Sequence, residues 1–210
     1  MATVTTSVMP PVSSPPAGSI PLPAPDELHR FTVDEYEQMA RAGIFEDDRV
    51  ELIDGLVVQK MPPDPPHVSV VELTRAALQP LLPAGWHFRE EKPVRLPKYN
   101  MPEPDLAIVR GKIRDYIDHH PGPDDVALIV EVAASSLSRD RKAKLAVYAG
   151  TGFLVHWVVN LVDKRVEVYT DPDMEQRVYR SHQNVGPDEK VTVRLEGREL
   201  GQVAVSDMLP

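Results

Sequence analysis

The chain has 210 residues, a formal net charge of −9 and no cysteine. That length is enough for one domain with a sizeable core. The lack of cysteine excludes a disulfide scaffold, a thiolate metal site and a cysteine nucleophile, and it fits a reducing, cytoplasmic setting. The acidic balance argues against a general coat for nucleic acid or an anionic membrane, while leaving room for a local basic groove. No run approaches the roughly 20 apolar residues of a membrane span, so no membrane partner is expected.

Residues 1–27 are rich in Pro, Ser, Thr and Ala and nearly free of charge. They lack the basic and apolar regions of a secretory signal. Such a segment buries too little apolar area to offset its ordering entropy, and it reads as a flexible, polyproline-like tail. Residues 28–210 are expected to form a single domain. It opens with "FTVDEYEQMARAG", a helix capped by Thr32 with Glu35 as its capping-box partner and ended by Gly43. In "RVELIDGLVVQK" two short β-rich runs flank Asp54-Gly55, a two-residue hairpin signal, and Glu51 lies on the first run.

"PPDPPH" reads as a turn cluster. After it, Val70, Val71, Thr74, Ala77, Leu78 and Leu81 keep helical spacing over about four turns. Beyond Gly85, "WHFREEKPVRLP" reads as a strand bent at Pro93. "EPDLAIVRG" is another strand, and Lys112 to Asp125 is an irregular polar segment with a short helix near Tyr116. Val126 to Ala134 is a core strand. "SSLSRDRKAKLAVYAG" is then a helix with a Ser cap and Gly150 just past its end. "FLVHWVVNL" and "RVEVYTD" make a further hairpin, and the last 30 residues are strand-like pieces with a final helical turn. Trp86 and Trp157 read as core residues. The order of elements indicates a mixed α/β sheet domain.

Three residues break the apolar pattern. Asp105 opens "DLAIV", and Glu131 sits inside "LIVEVAA". Lys144 lies on the helix face that Leu137, Arg141, Leu145 and Tyr148 also mark, the face that packs on the sheet. A buried, unpaired carboxylate costs several kcal/mol or shifts its pKa, so Glu131 calls for a partner. Two carboxylates on central strands and a lysine on the covering helix suit metal-assisted attack of water on a phosphodiester. The lysine would orient or help deprotonate the water, or neutralise developing charge, and the Val132 carbonyl would add a ligand. A structural ion pair of Asp105 and Glu131 with Lys144 or Arg141 fits the same spacing. The run from Arg139 to Lys142 reads as a solvated basic turn.

At these residues the sequence resembles the Uma2-type endonucleases, the DUF820 group of the PD-(D/E)xK nuclease superfamily. "EPDLAIV", "LIVEVAASS" and "DRKAKLAVYAGTGFLVHWVVN" carry the likeness, with "RVELIDGLVV" and "PPDPPHVSV" upstream in matching order, over about residues 30 to 170. The resemblance implies a restriction-endonuclease-like core with flanking helices and added β-hairpins. It also implies a Mg2+ site, with Mn2+ as substitute, and DNA as partner. A second copy of the chain in a homodimer is left open. Asp105 takes the place of the superfamily's first Asp and Glu131 that of its (D/E)xK acid. The usual strand lysine falls on Ala133, and Lys144 occupies the family's lysine position on the following helix. Glu51 matches the early Glu and adds a metal contact. His67 matches the His that starts the long helix and joins the catalytic set. The sequence departs from the family at Ser136 to Ser138, at His156 and at Asn160. The function implied is Mg2+-dependent DNA cleavage. The alternative is a catalytically weak nucleic-acid-binding or regulatory module on the same fold.

Overall fold

The computed structural model describes residues 24, 26–46, 48–133 and 139–210, with backbone alone over 139–141. The expected tail therefore lies outside the described residues except at 24, 26 and 27. So do the Ser cap of the third helix and the Ser136 to Ser138 departure.

The first helix, α1 (Val33–Arg41), begins where Thr32 and Glu35 exchange hydrogen bonds. The Glu35 N–H donates to Thr32 Oγ1 at 3.3 Å, and the Thr32 N–H donates to Glu35 Oε2 at 2.7 Å. Strands β1 (Val50–Ile53) and β2 (Leu56–Gln59) form a hairpin. Asp54 and Gly55 both take positive φ, 48° and 74°, as a turn matched to strand twist requires.

Helix α2 (Pro65–Leu78) starts two residues earlier than its sequence pattern indicated. Its Pro residues fit the first turn because they lack only N–H groups that would be unpaired there, and Asp64 caps the helix by accepting from the His67 N–H at 3.0 Å. Strand β3 (Trp86–Glu90) stops short of the expected bend at Pro93, because Glu91 turns to φ 47°. Strands β4 (Leu106–Arg110) and β5 (Val126–Ala133) follow, with two short 3-10 turns between them. Helix α3 (Arg139–Thr151) runs through Gly150 instead of ending before it, and Gly152 at φ 89° supplies the stop. Strands β6 (Val155–Asn160), β7 (Arg165–Asp173), β8 (Val178–Val185), β9 (Lys190–Leu195) and β10 (Arg198–Ala204) complete the chain with a last 3-10 turn.

The architecture is mixed α/β. Among the described residues, six strands form the main sheet in the order β3-β4-β5-β6-β7-β8, and β9 and β10 pair separately. β5 and β6 are the one parallel pair of the main sheet among the described residues. A parallel pair needs a long crossover, and α3 is that crossover. Side chains alternate between the two faces. Leu106, Ile108, Leu128, Val130, Val132, Trp157 and Val159 pack toward Val70, Val71 and Leu78 of α2 and the valines of β9 and β10. Ala107, Val109 and Ile129 pack on the other face with Val147 and Tyr148 of α3 and Ile53 after Leu52. Trp157 is wholly buried and Trp86 partly so, both against the first cluster. Among the described residues, no helix is long and apolar enough to cross a membrane.

Candidate active site

Period-two alternation decides where the acids point. Glu131 has the parity of Ile129, so it falls on the face covered by α3. Asp105 precedes Ala107 by two residues and falls on that face as well. The antiparallel register pairs Leu106 with Val130, so one further step sets Asp105 beside Glu131. The backbone agrees: the Val132 N–H donates to Asp105 Oδ2 at 2.7 Å. In an extended strand, N–H and C=O of one residue project to the same side, so the Val132 carbonyl faces the Asp105 side too.

Lys144 reaches this face from α3. Its Nζ stands 3.2 Å from Glu131 Oε1 and 3.2 Å from Glu51 Oε2. Glu51, only 4% exposed, comes from β1 and also accepts the Glu103 N–H at 3.0 Å. The Glu103 side chain pairs with Lys60 at 2.9 Å. His67, in the first turn of α2, sets Nε2 3.3 Å from Asp105 Oδ1. Glu51, His67, Asp105, Glu131 and Lys144 wall a cleft of about 360 Å³, with Lys60, Met61 and His156 among its other lining residues. All six residues proposed from the sequence, Glu51, His67, Asp105, Glu131, Val132 and Lys144, line this one cleft.

The charge balance shapes their ionisation. Burial pushes the Glu131 carboxyl up to about 7, against the pull of Lys144; Asp105 and Glu51 push it further up and Tyr148 down. Burial opposes the charge on Lys144, but Glu131, Glu51 and Asp105 outweigh it and raise its pKa. Burial also works against ionised Asp105, yet His67, Lys144 and the Val132 N–H together hold it below its ordinary value. The hydrogen bond to Asp105 raises His67, against burial.

Sequence reading missed the role of Tyr148. Its spacing puts it on the packing face, and its hydroxyl also donates to Glu131 Oε1 at 2.7 Å. The signal was present, since Tyr148 follows Lys144 by four residues and shares its face. Lys60 and His156 were not expected in the cleft wall. Lys60 directly follows β2, a place where solvated lysines are common, and nothing in its neighbours points inward.

The groups that could hold a cation beside Lys144 are the carboxylates of Glu51, Asp105 and Glu131 and the Val132 carbonyl, oxygen donors of the kind a hard divalent cation takes. Among the described residues, no three His, Asp or Glu side chains form a ready-made metal cage. The Lys144 ammonium lies between Glu51 and Glu131 instead, and serves as their counter-cation.

The fold is similar to that of a solved structure described as "a putative nuclease belonging to DUF820" from Anabaena variabilis ATCC 29413. The TM-score is 0.58 at 16% identity, covering 85% of this chain and 97% of that one. A search of curated proteins finds no match. Residues 33–204 match the model of the Uma2 family, described as "Putative restriction endonuclease", and on that match, which spans the β1 to β10 fold and its cleft, the chain belongs to the Uma2 family.

Proposed function

We propose that this protein is a Mg2+-dependent DNA endonuclease, with Mn2+ able to substitute, and that Asp105, Glu131, Glu51 and Lys144 form its reactive centre. The observation that carries the reading is the convergence of two strand carboxylates and a helix lysine on one sheet face, at the wall of a cleft. The carboxylates of Asp105, Glu131 and Glu51, with the Val132 carbonyl, would hold the divalent ion. When bound, such an ion lowers the pKa of water and offsets charge on phosphate oxygens.

The chain's own groups have defined tasks in this reading. Asp105 and Glu131 lie on neighbouring strands, so their separation is fixed by the sheet rather than by a loop. Lys144 keeps its positive charge within the cleft, where it stabilises the negative charge that builds on the phosphate as water adds and a P–O ester bond breaks. His67 is held by Asp105 and kept cationic by it over a wider pH range. It faces the cleft as a second positive group for a phosphodiester. Glu51 ties Lys144 to β1 and so limits the ammonium to the cleft.

The test is cleavage of plasmid and single-stranded DNA by the wild-type chain and by Glu131→Gln and Lys144→Ala, with Mg2+ or Mn2+ and with chelator. Wild type should cleave only with metal, and each variant should lose at least about 100-fold in rate. Equal activity in wild type and Glu131→Gln would reject this site. DNA binding by wild type without cleavage would favour the binding-module alternative.

A further inference from the structure

The reaction just described makes no use of Tyr148, although this side chain is wholly buried and its hydroxyl ends on Glu131. Its ring is fixed between two others, 5.8 Å from Phe153 and 5.0 Å from His156 by centroid. The hydroxyl therefore has little freedom to leave Oε1, where it donates at 2.7 Å. Lys144, one helical turn earlier, donates to the same carboxylate, 3.2 Å from Oε1 and 3.4 Å from Oε2. One carboxylate is thus held by two donors from one helix face.

The two donors differ in what a cation would do to them. An incoming divalent ion repels an ammonium, so Lys144 must give ground as the ion takes over its role as counter-charge. A phenol carries no charge to repel. A tyrosine hydroxyl is ordinarily neutral near pH 7, and here it donates to Glu131 Oε1. Its hydrogen bond would survive the exchange of ammonium for metal.

We propose that Tyr148 is a positioning residue for Glu131. It holds Oε1 while a divalent cation replaces Lys144 at the carboxylate, and thereby keeps Glu131 oriented as a ligand. This rests on the metal-dependent reading above. The two helix donors should then affect metal binding in opposite directions, an outcome that packing alone does not produce.

The test is calorimetric titration of the metal-free full-length chain with Mn2+, for wild type, Tyr148→Phe and Lys144→Met. Tyr148→Phe should weaken Mn2+ binding by about 10-fold or more, the range for removing a partner that orients a metal ligand. Lys144→Met should bind Mn2+ as tightly as wild type or more tightly. In cleavage assays Tyr148→Phe should lower kcat and leave the KM for DNA unchanged. Phe keeps the ring and its packing, so the metal-free melting temperature should move by only a few degrees. Unchanged Mn2+ affinity in Tyr148→Phe would overturn the proposal while leaving the nuclease reading intact. Loss of affinity in Lys144→Met as large as in Tyr148→Phe would overturn it too, as would a Tyr148→Phe chain that does not fold. Wild type that fails to bind Mn2+ at millimolar concentration would remove the metal reading itself, and this proposal with it.

Discussion

Lys144 Nζ lies 3.2 Å from Glu131 Oε1, inside a sheet–helix interface and beside a second carboxylate, Glu51. Removing one partner of a buried charge cluster leaves the others uncompensated, at a cost of about 3–5 kcal/mol. Lys144→Met should therefore lower stability by an amount of that order at pH 8. The loss should be smaller at pH 6, where Glu131 can take a proton. Urea denaturation at the two pH values measures the difference; an equal loss at both would contradict the shared role of Lys144 and Glu131.

Within the cleft, three groups set the pH dependence of the metal-free chain. Glu131 has its folded pKa raised from 4.5 to about 7, so the folded state binds the proton more tightly, and stability falls as pH rises through that window. His67 is also raised, from 6.5; its contribution is full below that value and is lost as pH climbs through its folded pKa. Asp105 is lowered from 3.8, so its contribution is present above that value and lost on acidification. The melting temperature should thus be higher near pH 5.5 than at pH 8. Glu131→Gln should flatten much of the decline, and an unchanged decline in that variant would count against the Glu131 assignment.

Metal should reverse this trend. A cation that binds ionised Glu131 must displace its proton, so Mn2+ affinity should rise from pH 6 to pH 8. Titrations at pH 6 in buffers of different ionisation enthalpy should show proton release, with little at pH 8.5. By linkage, millimolar Mg2+ or Mn2+ should raise the melting temperature, and Asp105→Asn should reduce that rise. An identical rise in wild type and Asp105→Asn would mean that the ion binds elsewhere.

Much of this arrangement was legible in the sequence because it rests on local rules. Thr32 with Glu35 marked a helix start, and Asp54-Gly55 marked a tight hairpin. Glu131 and Asp105 stood out because a carboxylate in an apolar strand needs a partner. The errors came where local and tertiary preferences compete. Gly150 is a usual stop signal, but α3 continues past it. Pro65 and Pro66 look like turn residues, yet a helix N-terminus accepts them. The bond from Tyr148 to Glu131 depends on how α3 sits over β5, and spacing alone marks a shared face without specifying a hydroxyl contact. The Glu51 contact to Lys144 joins residues from β1 and α3, and no local pattern connects them.

Glu51 reaches the cleft wall from β1, and the β1–β2 turn that follows depends on one glycine. Gly55 has φ 74°, and a Cβ there would sit 2.7 Å from Arg30 Cβ. Its N–H donates to the Tyr99 carbonyl at 2.8 Å, and its carbonyl accepts from the Phe31 N–H at 2.9 Å. Gly55→Ala should cost more than about 1 kcal/mol, through backbone strain and the close approach. Chemical denaturation measures it, and a neutral result would contradict the tight turn.

The central claim is that Asp105 and Glu131 act together as ligands for one divalent cation at the cleft. A crystal of the metal-free chain soaked in Mn2+ tests this by anomalous diffraction. The account predicts an Mn2+ peak in contact with carboxylate oxygens of both residues, with the Lys144 ammonium moved away from Glu131 and the Tyr148 hydroxyl still on it. A peak held elsewhere, or no peak at millimolar Mn2+ with Lys144 still between Glu51 and Glu131, would contradict it.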